Sequence, residues 1–431
     1  MAGTGGSAAT QVSCSFEISG SISPQIPTVG VVDWSTDLAG LTAARIEFSL
    51  DDPQPNEVNV GSSVPISVTE PSALLLGMKP ARSYTYRIVA TAGDKYCVSD
   101  DQKIQTQPAP AAPVMTQVAG DGFDARSNGF IVTCTSTNAL IVDSDGAVVW
   151  WSDAALGCTR ALMDWEGAYM WTMAGPAGPG DGGIVTRVSM DRGAVETLAG
   201  LGRVHHDFAV LPGGVSAFLS WTKDKTETSD LIERSADGTL RTLATVDAAT
   251  LVTSKNSFHA NALRYYARDD SYTVSDLDAV LITKFNRQGE VTWQAGSCEN
   301  DASVCAVANV SGSHGHELLE NGNLLLFSAS EFTSPVYEYS FSQPNGFLVS
   351  TLAWTYQSQL FSEHFGDVQR LPNGNTLVTY SMYYPQDATA PQGTIQEISP
   401  LGSVVQTLAS AADEGMLGYS TFRETLYGAP Q

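Results

Sequence analysis

The chain contains six histidines, His205, His206, His259, His314, His316 and His364, and each heads a segment of the same form. The stretch at 204–221, VHHDFAVLPGGVSAFLSW, returns as FHANALRYYARDDSYTVS from Phe258. It returns again as HGHELLENGNLLLFSAS from His314 and as EHFGDVQRLPNGNTLVTYS from Glu363. Every copy puts imidazole before a turn and then an apolar or alternating strand. Convergent imidazoles can ligate a metal, supply a nucleophile with acid/base partners, or cradle an anion. One histidine at such a turn is ordinarily a cap satisfied by backbone carbonyls. Six at one repeat position ask for more than capping.

For these residues to meet, the segments that carry them must surround an axis. The sequence repeats at about the length of a propeller blade, over 123–157, 158–202, 203–250, 251–311, 312–361 and 362–410. A second phrase, a strand, an Asp-Gly-like turn and another strand, appears as ALIVDSDGAVVWW at Ala139, LIERSADGTLRTL at Leu231 and LITKFNRQGEVTW at Leu281. Looser copies start at Val336 and Thr394. Together the two phrases predict four antiparallel strands per repeat, and hence an all-β, six-bladed β-propeller over 115–431. The tail GYSTFRETLYG would complete the first blade and remove its open edge. A long sandwich of the same strands is the alternative. Aligned on their turns, His206 stands seven residues before Gly213 and His314 seven before Asn321. Gly366 holds the matching place in the last copy, with His364 two residues earlier.

Ahead of the repeats, residues 1–11 read as a disordered Gly/Ser/Ala tether, the trimmed end of an exported protein. Residues 12–107 carry short alternating segments (SFEISG, VGVVDWST, ARIEFSL, SYTYRIVAT) that predict a fibronectin III-like β-sandwich, with Tyr84, Tyr86 and Ile88 facing one side. The Pro/Ala run at 108–114 is the expected linker, stiff and extended.

Lys+Arg 22 against Asp+Glu 46 gives a formal charge of −24, which argues against nucleic acid or an anionic membrane face as a partner; the expected partner is a small aromatic substrate. No apolar run is long enough to span a bilayer. The six cysteines fall in sequential pairs, Cys14/Cys97, Cys134/Cys158 and Cys298/Cys305, with no metal-binding spacing, which favours a secreted or periplasmic setting. A lipid anchor on a removed N-terminal segment and a homodimer both stay open.

The segments HHDFAVLPGG, FHANALRYY, HGHELLENGN and GDVQRLPNGNTLV resemble those of bacterial arylsulfotransferases that do not use nucleotide sulfate donors; the likeness is close over 203–379 and loose elsewhere. The resemblance implies a propeller enzyme without a cofactor. A histidine would take the sulfuryl group from an aryl sulfate and pass it to a phenol. By its spacing to the Asn-Gly-Asn turn His314 fits the nucleophile, with His316 the competitor, and His206, His259 and Asn261 would hold the sulfonate oxygens. His364 would reach the funnel from its loop. One departure stands out. Where the family carries a sulfonate-binding arginine, this chain has Asp276 or Leu277, so Arg160, Arg203 or Arg423 would have to substitute from another blade.

Two other function classes follow from the same residues. His206, His259, His316 and His364, with Asp207, Glu317 or Asp367, could hold a divalent metal ion for a hydrolase, lyase or oxygenase, or a histidine pair could do acid/base work without metal. A secreted ligand-binding module is the third. The glycine-rich stretch at 172–183 lacks the lysine of a phosphate loop. SDLDAV, at 275–280, reads as a turn rather than a calcium site. YSMYYPQ, at 380–386, would form an aromatic wall at the funnel mouth, or ordinary packing.

Overall fold

The computed structural model describes residues 9–175, 182–222, 228–299, 303–329, 333–362, 365–381 and 391–429. Two sheets come first. One has three strands, Phe16–Ile22, Gly30–Thr36 and Ser72–Leu75. The other is built on Ala43–Leu50 and Ser83–Ala92, flanked by Gly61–Ile66, Lys95–Val98, Gln102–Gln105 and Thr10–Gln11. Alternation places Tyr84, Tyr86 and Ile88 inward, where they pack with Trp34, Ile46 and Phe48. Cys14 and Cys97 are joined by a disulfide.

Six further sheets follow in chain order, and each is built on four antiparallel strands; in the fourth the added strand Cys305–Val307 pairs parallel. Their first strands, Arg160–Met163, Val204–Val210, Ala260–Tyr266, Ser313–Leu318 and Asp367–Arg370, contact one another in series. The arrangement is propeller-like, with the sheets as blades. The C-terminal strand Thr421–Arg423 pairs with Phe130–Cys134 and supplies the first strand of the first blade, and the backbone N–H of Phe422 donates to Gln369 of the sixth, at 2.7 Å. Sequence reading missed a second closure. Met115–Ala119 pairs along Val404–Ser410 and adds a fifth strand to the sixth blade. Cys305–Val307 adds one to the fourth, so two blades exceed four strands. The segment before Met115 is not a free spacer either: Ala109 and Ala112 pack on the core beneath the first blade, and Ala112 N–H bonds Ala109 O. Disulfides Cys134–Cys158 and Cys298–Cys305 tie blade one to blade two and brace blade four. With no free cysteine among the described residues, an extracellular or periplasmic setting is favoured. No helix among the described residues is long and apolar enough to cross a membrane.

The N-terminal sheets dock on the ring through buried charge. Lys79 Nζ lies 2.8 Å from Glu57 Oε1, 2.6 Å from Asp145 Oδ2 and 3.4 Å from Asp143 Oδ2, and Arg126 reaches Asp145 at 2.7 Å. Burial opposes the charge on Lys79, but the surrounding carboxylates outweigh it and raise its pKa. Burial pushes Glu57 upward, yet bonds from Lys79, Arg82 and the Gln54 N–H prevail and bring it to about 2. A carboxylate depressed in the fold lends stability above its unfolded value, and that stability is lost as pH falls through the folded one. Glu57→Gln should therefore cost about 1–3 kcal/mol at pH 7. The gap from wild type should close between about pH 4.5 and pH 2 in thermal unfolding.

Candidate functional site

The hydrogen-bond ladder breaks at one place in three successive blades. The register shifts between Val204 and Phe208 in blade three, between Ala260 and Ala262 in blade four, and between Ser313 and His316 in blade five. These gaps hold His205, His206 and Asp207, then Asn261, then His314 and Gly315. A bulge frees side chains from the in-and-out alternation of a strand and re-aims them. Here it turns them toward the axis.

His206 stands at the centre of an imidazole cluster. Its Nδ1 lies 2.8 Å from Nδ1 of His205, and its Nε2 lies 2.9 Å from Nε2 of His259. Nε2 of His205 meets Ser229 Oγ at 3.0 Å, and the His205 ring stacks on Trp221 with centroids 3.9 Å apart. His205 and His206 are buried and His259 is half-buried. Burial disfavours imidazolium at each ring, and neighbouring imidazoles add to this at the first two. Burial and His259 bring His205 to about 3. Burial, then His205, His259 and His314, hold His206 well below the usual value. Burial lowers His259 against the pull of Asp278. All three rings are neutral bases at pH 7.

His314 lies near enough to His206 to weigh on its protonation, and its Nδ1 is 3.3 Å from the Gly312 carbonyl. A carbonyl only accepts, so Nδ1 of His314 is the donor in this contact. His316 points elsewhere. It is fully buried, with Nε2 2.6 Å from Thr273 Oγ1 and Nδ1 without a hydrogen-bond partner. His364 lies outside the described residues, as do 382–386 of the expected aromatic wall; Tyr380 itself is buried.

Beneath the imidazoles lies a charge cluster that the sequence did not announce. Arg264 donates from Nη1 to Asp207 Oδ2 and from Nη2 to Asp367 Oδ1, both at 2.5 Å. Arg160 Nε lies 2.8 Å from Asp207 Oδ1, in ion-pair contact but not aligned for a hydrogen bond. Tyr419, from the C-terminal segment, sits with its ring under both guanidiniums and donates to the Asn261 carbonyl at 2.6 Å. Asn261 is fully buried; its amide donates to Ser313 O and its Oδ1 accepts from Ser275. It braces neighbouring blades.

Of the three arginines considered as replacements, only Arg160 reaches this cluster. Arg203 donates to the carbonyls of Trp221 and Thr222. Arg423 donates to those of Thr425, Asp164 and Gly428. Asp276 accepts from the Ala279 N–H and shapes its own turn. Glu317, raised to about 7 by burial, accepts from the Arg370 N–H. Arg264, Trp221, Ser229 and Tyr419 were not singled out from sequence. Arg264, Trp221 and Tyr419 lie inside segments whose repetition or closing role was visible, and Ser229 just before one, but nothing there distinguished them from core residues.

As to metals, among the described residues no three His, Cys, Asp or Glu side chains are placed to share an ion. The two nitrogens of His206 diverge toward different rings, so one ion could not engage His205, His206 and His259 together. A cleft with room for about 10 Å³, roughly one water, opens beside His205 and His206 and is walled by Thr159, Met173 and Phe365.

No family model matches the sequence, and no curated protein does. Among solved structures, a candidate 6-phosphogluconolactonase from Bacteroides fragilis is similar at 13% identity and TM-score 0.41, over 69% of this chain and 98% of that one. A luciferin-regenerating enzyme is similar at 11% and 0.41, over 74% and 99%. A nidogen/laminin complex gives 12% and 0.32, over 72% and 98%. At these values none assigns an activity to this chain.

Arg264→Met would leave Asp207 and Asp367 buried without their main cation. Such a break costs about 3–5 kcal/mol, to be read from denaturant unfolding, and Arg264→Lys should recover only part of it because one ammonium cannot bridge both carboxylates.

Proposed function

We propose that the protein is an exported propeller enzyme that transfers a sulfuryl group from an aryl sulfate to a phenol, with His314 as nucleophile. The observation that carries this reading is the His314 ring, which the register break between Ser313 and His316 frees from the strand and whose Nδ1 donates to the Gly312 carbonyl at 3.3 Å. In the first half-reaction Nε2 attacks sulfur, the S–O bond to the aryl group breaks, and the phenolate leaves with the electron pair. The neutral imidazoles nearby, His259 being the more exposed, donate hydrogen bonds to the leaving phenolate, which takes its proton from water. In the second half-reaction the acceptor hydroxyl gives its proton to a neutral imidazole and attacks sulfur, and the N–S bond breaks with its electron pair returning to Nε2. Arg160 and Arg264 lie beneath as the cations nearest the axis, although both face Asp207 and Asp367. The paired N-terminal sheets, which we read as a fibronectin III-like sandwich, would then be a rigid base for the ring rather than part of the site.

The pairing of those arginines favours a second reading. A site whose cations are already matched by carboxylates suits a neutral substrate better than an anionic one. On that reading the same neutral imidazoles act as acid and base in a lyase or hydrolase reaction without a covalent intermediate.

Turnover of 4-nitrophenyl sulfate with a phenol acceptor tests the first reading. His314→Asn should remove activity by about 10³-fold or more while the fold persists. His316→Asn should leave the chemical step within about threefold and act on stability instead. Equal loss in both variants would reject His314 as the nucleophile. No turnover of any aryl sulfate by the wild-type protein would leave the acid–base reading.

A further inference from the structure

Neighbouring residues of a strand face opposite ways, yet Nδ1 of His205 and Nδ1 of His206 meet at 2.8 Å. The backbone allows this by holding His206 in the left-handed region, at φ 55, inside the break between Val204 and Phe208. A non-glycine residue kept there is strained, and such strain collects where geometry serves function. The result is a continuous line: Ser229 Oγ, His205, His206, His259, with contacts of 3.0, 2.8 and 2.9 Å.

We propose that these four residues form one ordered hydrogen-bonded chain that fixes the tautomer of His259, and that His205, which does not touch substrate, is a positioning residue for the reaction. Each N···N contact needs one proton between two nitrogens. With one proton per ring, only two arrangements satisfy every contact. In the first, Ser229 donates to Nε2 of His205, Nδ1–H of His205 donates to His206, and Nε2–H of His206 donates to Nε2 of His259. His259 then presents Nδ1–H, an acid. In the second, every bond is reversed, Nε2–H of His259 points inward and its Nδ1 presents a lone pair, a base. Any mixed arrangement sets two protons or two lone pairs face to face. Passing from the first to the second releases one proton at Nδ1 of His259 and requires one at the Ser229 hydroxyl. Ser229 is fully buried, so the inner end of the chain holds whichever arrangement the protein folds with. Trp221, stacked on His205 at 19° between planes, keeps that ring from turning out of line.

The test reads ring-nitrogen ¹⁵N shifts of the full chain at pH 7. In the wild type, His205, His206 and His259 should each give one protonated and one unprotonated nitrogen, with no averaging. His205→Phe keeps the stacking on Trp221 but ends the chain, and should leave averaged signals at His206 and His259. His205→Gln, with a donor and an acceptor, should restore part of the order. In turnover, which rests on the acid–base role of His259 given above, His205→Phe should lower kcat by about tenfold or more with KM within about twofold. Averaged rings in the wild type, spectra unchanged by His205→Phe, or an unchanged kcat would overturn the proposal. Should His205→Phe fail to fold, the wild-type spectrum and His205→Gln decide. The spectra do not depend on any aryl sulfate being turned over, so the two readings fail separately.

Discussion

Six sheets that meet round one axis leave little water to solvate what their first strands carry there, so any charge at the axis must be matched by protein. Arg264 meets that constraint by bridging Asp207 of the third blade and Asp367 of the sixth, with Arg160 against the first carboxylate. The two aspartates hold the same repeat position, four residues before Leu211 and Leu371. In the fifth blade Gly315 holds that position before Leu319. A Cβ there would lie 2.4 Å from Asp367 Oδ1 and 2.5 Å from its Cα. One repeat position thus supplies a carboxylate twice and empty space once, and the empty space is what lets the neighbouring carboxylate sit at the axis. Tyr419, from the C-terminal segment, sets its ring against both guanidiniums, so ring closure and charge pairing depend on each other.

Above this neutralised floor the imidazoles keep their lone pairs because they too are denied water. Burial disfavours protonation at His205, His206, His259 and His316 alike. The consequence differs from ring to ring. His316 is locked behind Thr273 and serves packing between blades four and five. His206 has both nitrogens committed to other rings and acts as a connector rather than a ligand. Among the described residues His259 and His314 are the half-buried rings. A funnel of neutral bases over matched ion pairs is suited to moving protons or accepting a transferred group, and less suited to gripping a multiply charged anion.

The repeats made the all-β architecture and the histidine-bearing strands readable in advance, because periodicity and turn chemistry are local. The C-terminal strand of the first blade was legible for the same reason, as an alternating segment left over after counting. Met115–Ala119 was not, because its five residues give no sign of which distant strand they join. The imidazoles were legible as a set, but their division of labour was not. That division rests on breaks in register and on the positive φ of His206, which a sequence without glycine at that place hides. Nor could counting charges reveal that Arg160 and Arg264 face the two aspartates rather than open space. The pairing is long-range, and residue type alone is silent about it.

Strain gives an independent argument for where the chemistry lies. The described residues include ten non-glycine positions with positive φ; eight lie away from the cleft at exposed or half-buried places, four of them asparagine or aspartate. His206 and Phe365 are different. One comes from the third blade and the other from just before the sixth, yet both wall the same small cleft, and Phe365 packs edge-on to Tyr419 at 5.7 Å. Gly366 follows with φ 113, pressed against Phe327 so closely that no side chain could replace its hydrogen. The third and sixth blades thus both carry positive φ beside the cleft, at His206 and at Phe365 and Gly366, and in the third the ladder of hydrogen bonds is broken there. A fold that needed only to close would have kept those hydrogen bonds; giving them up at the axis makes sense if the rings they aim do work there.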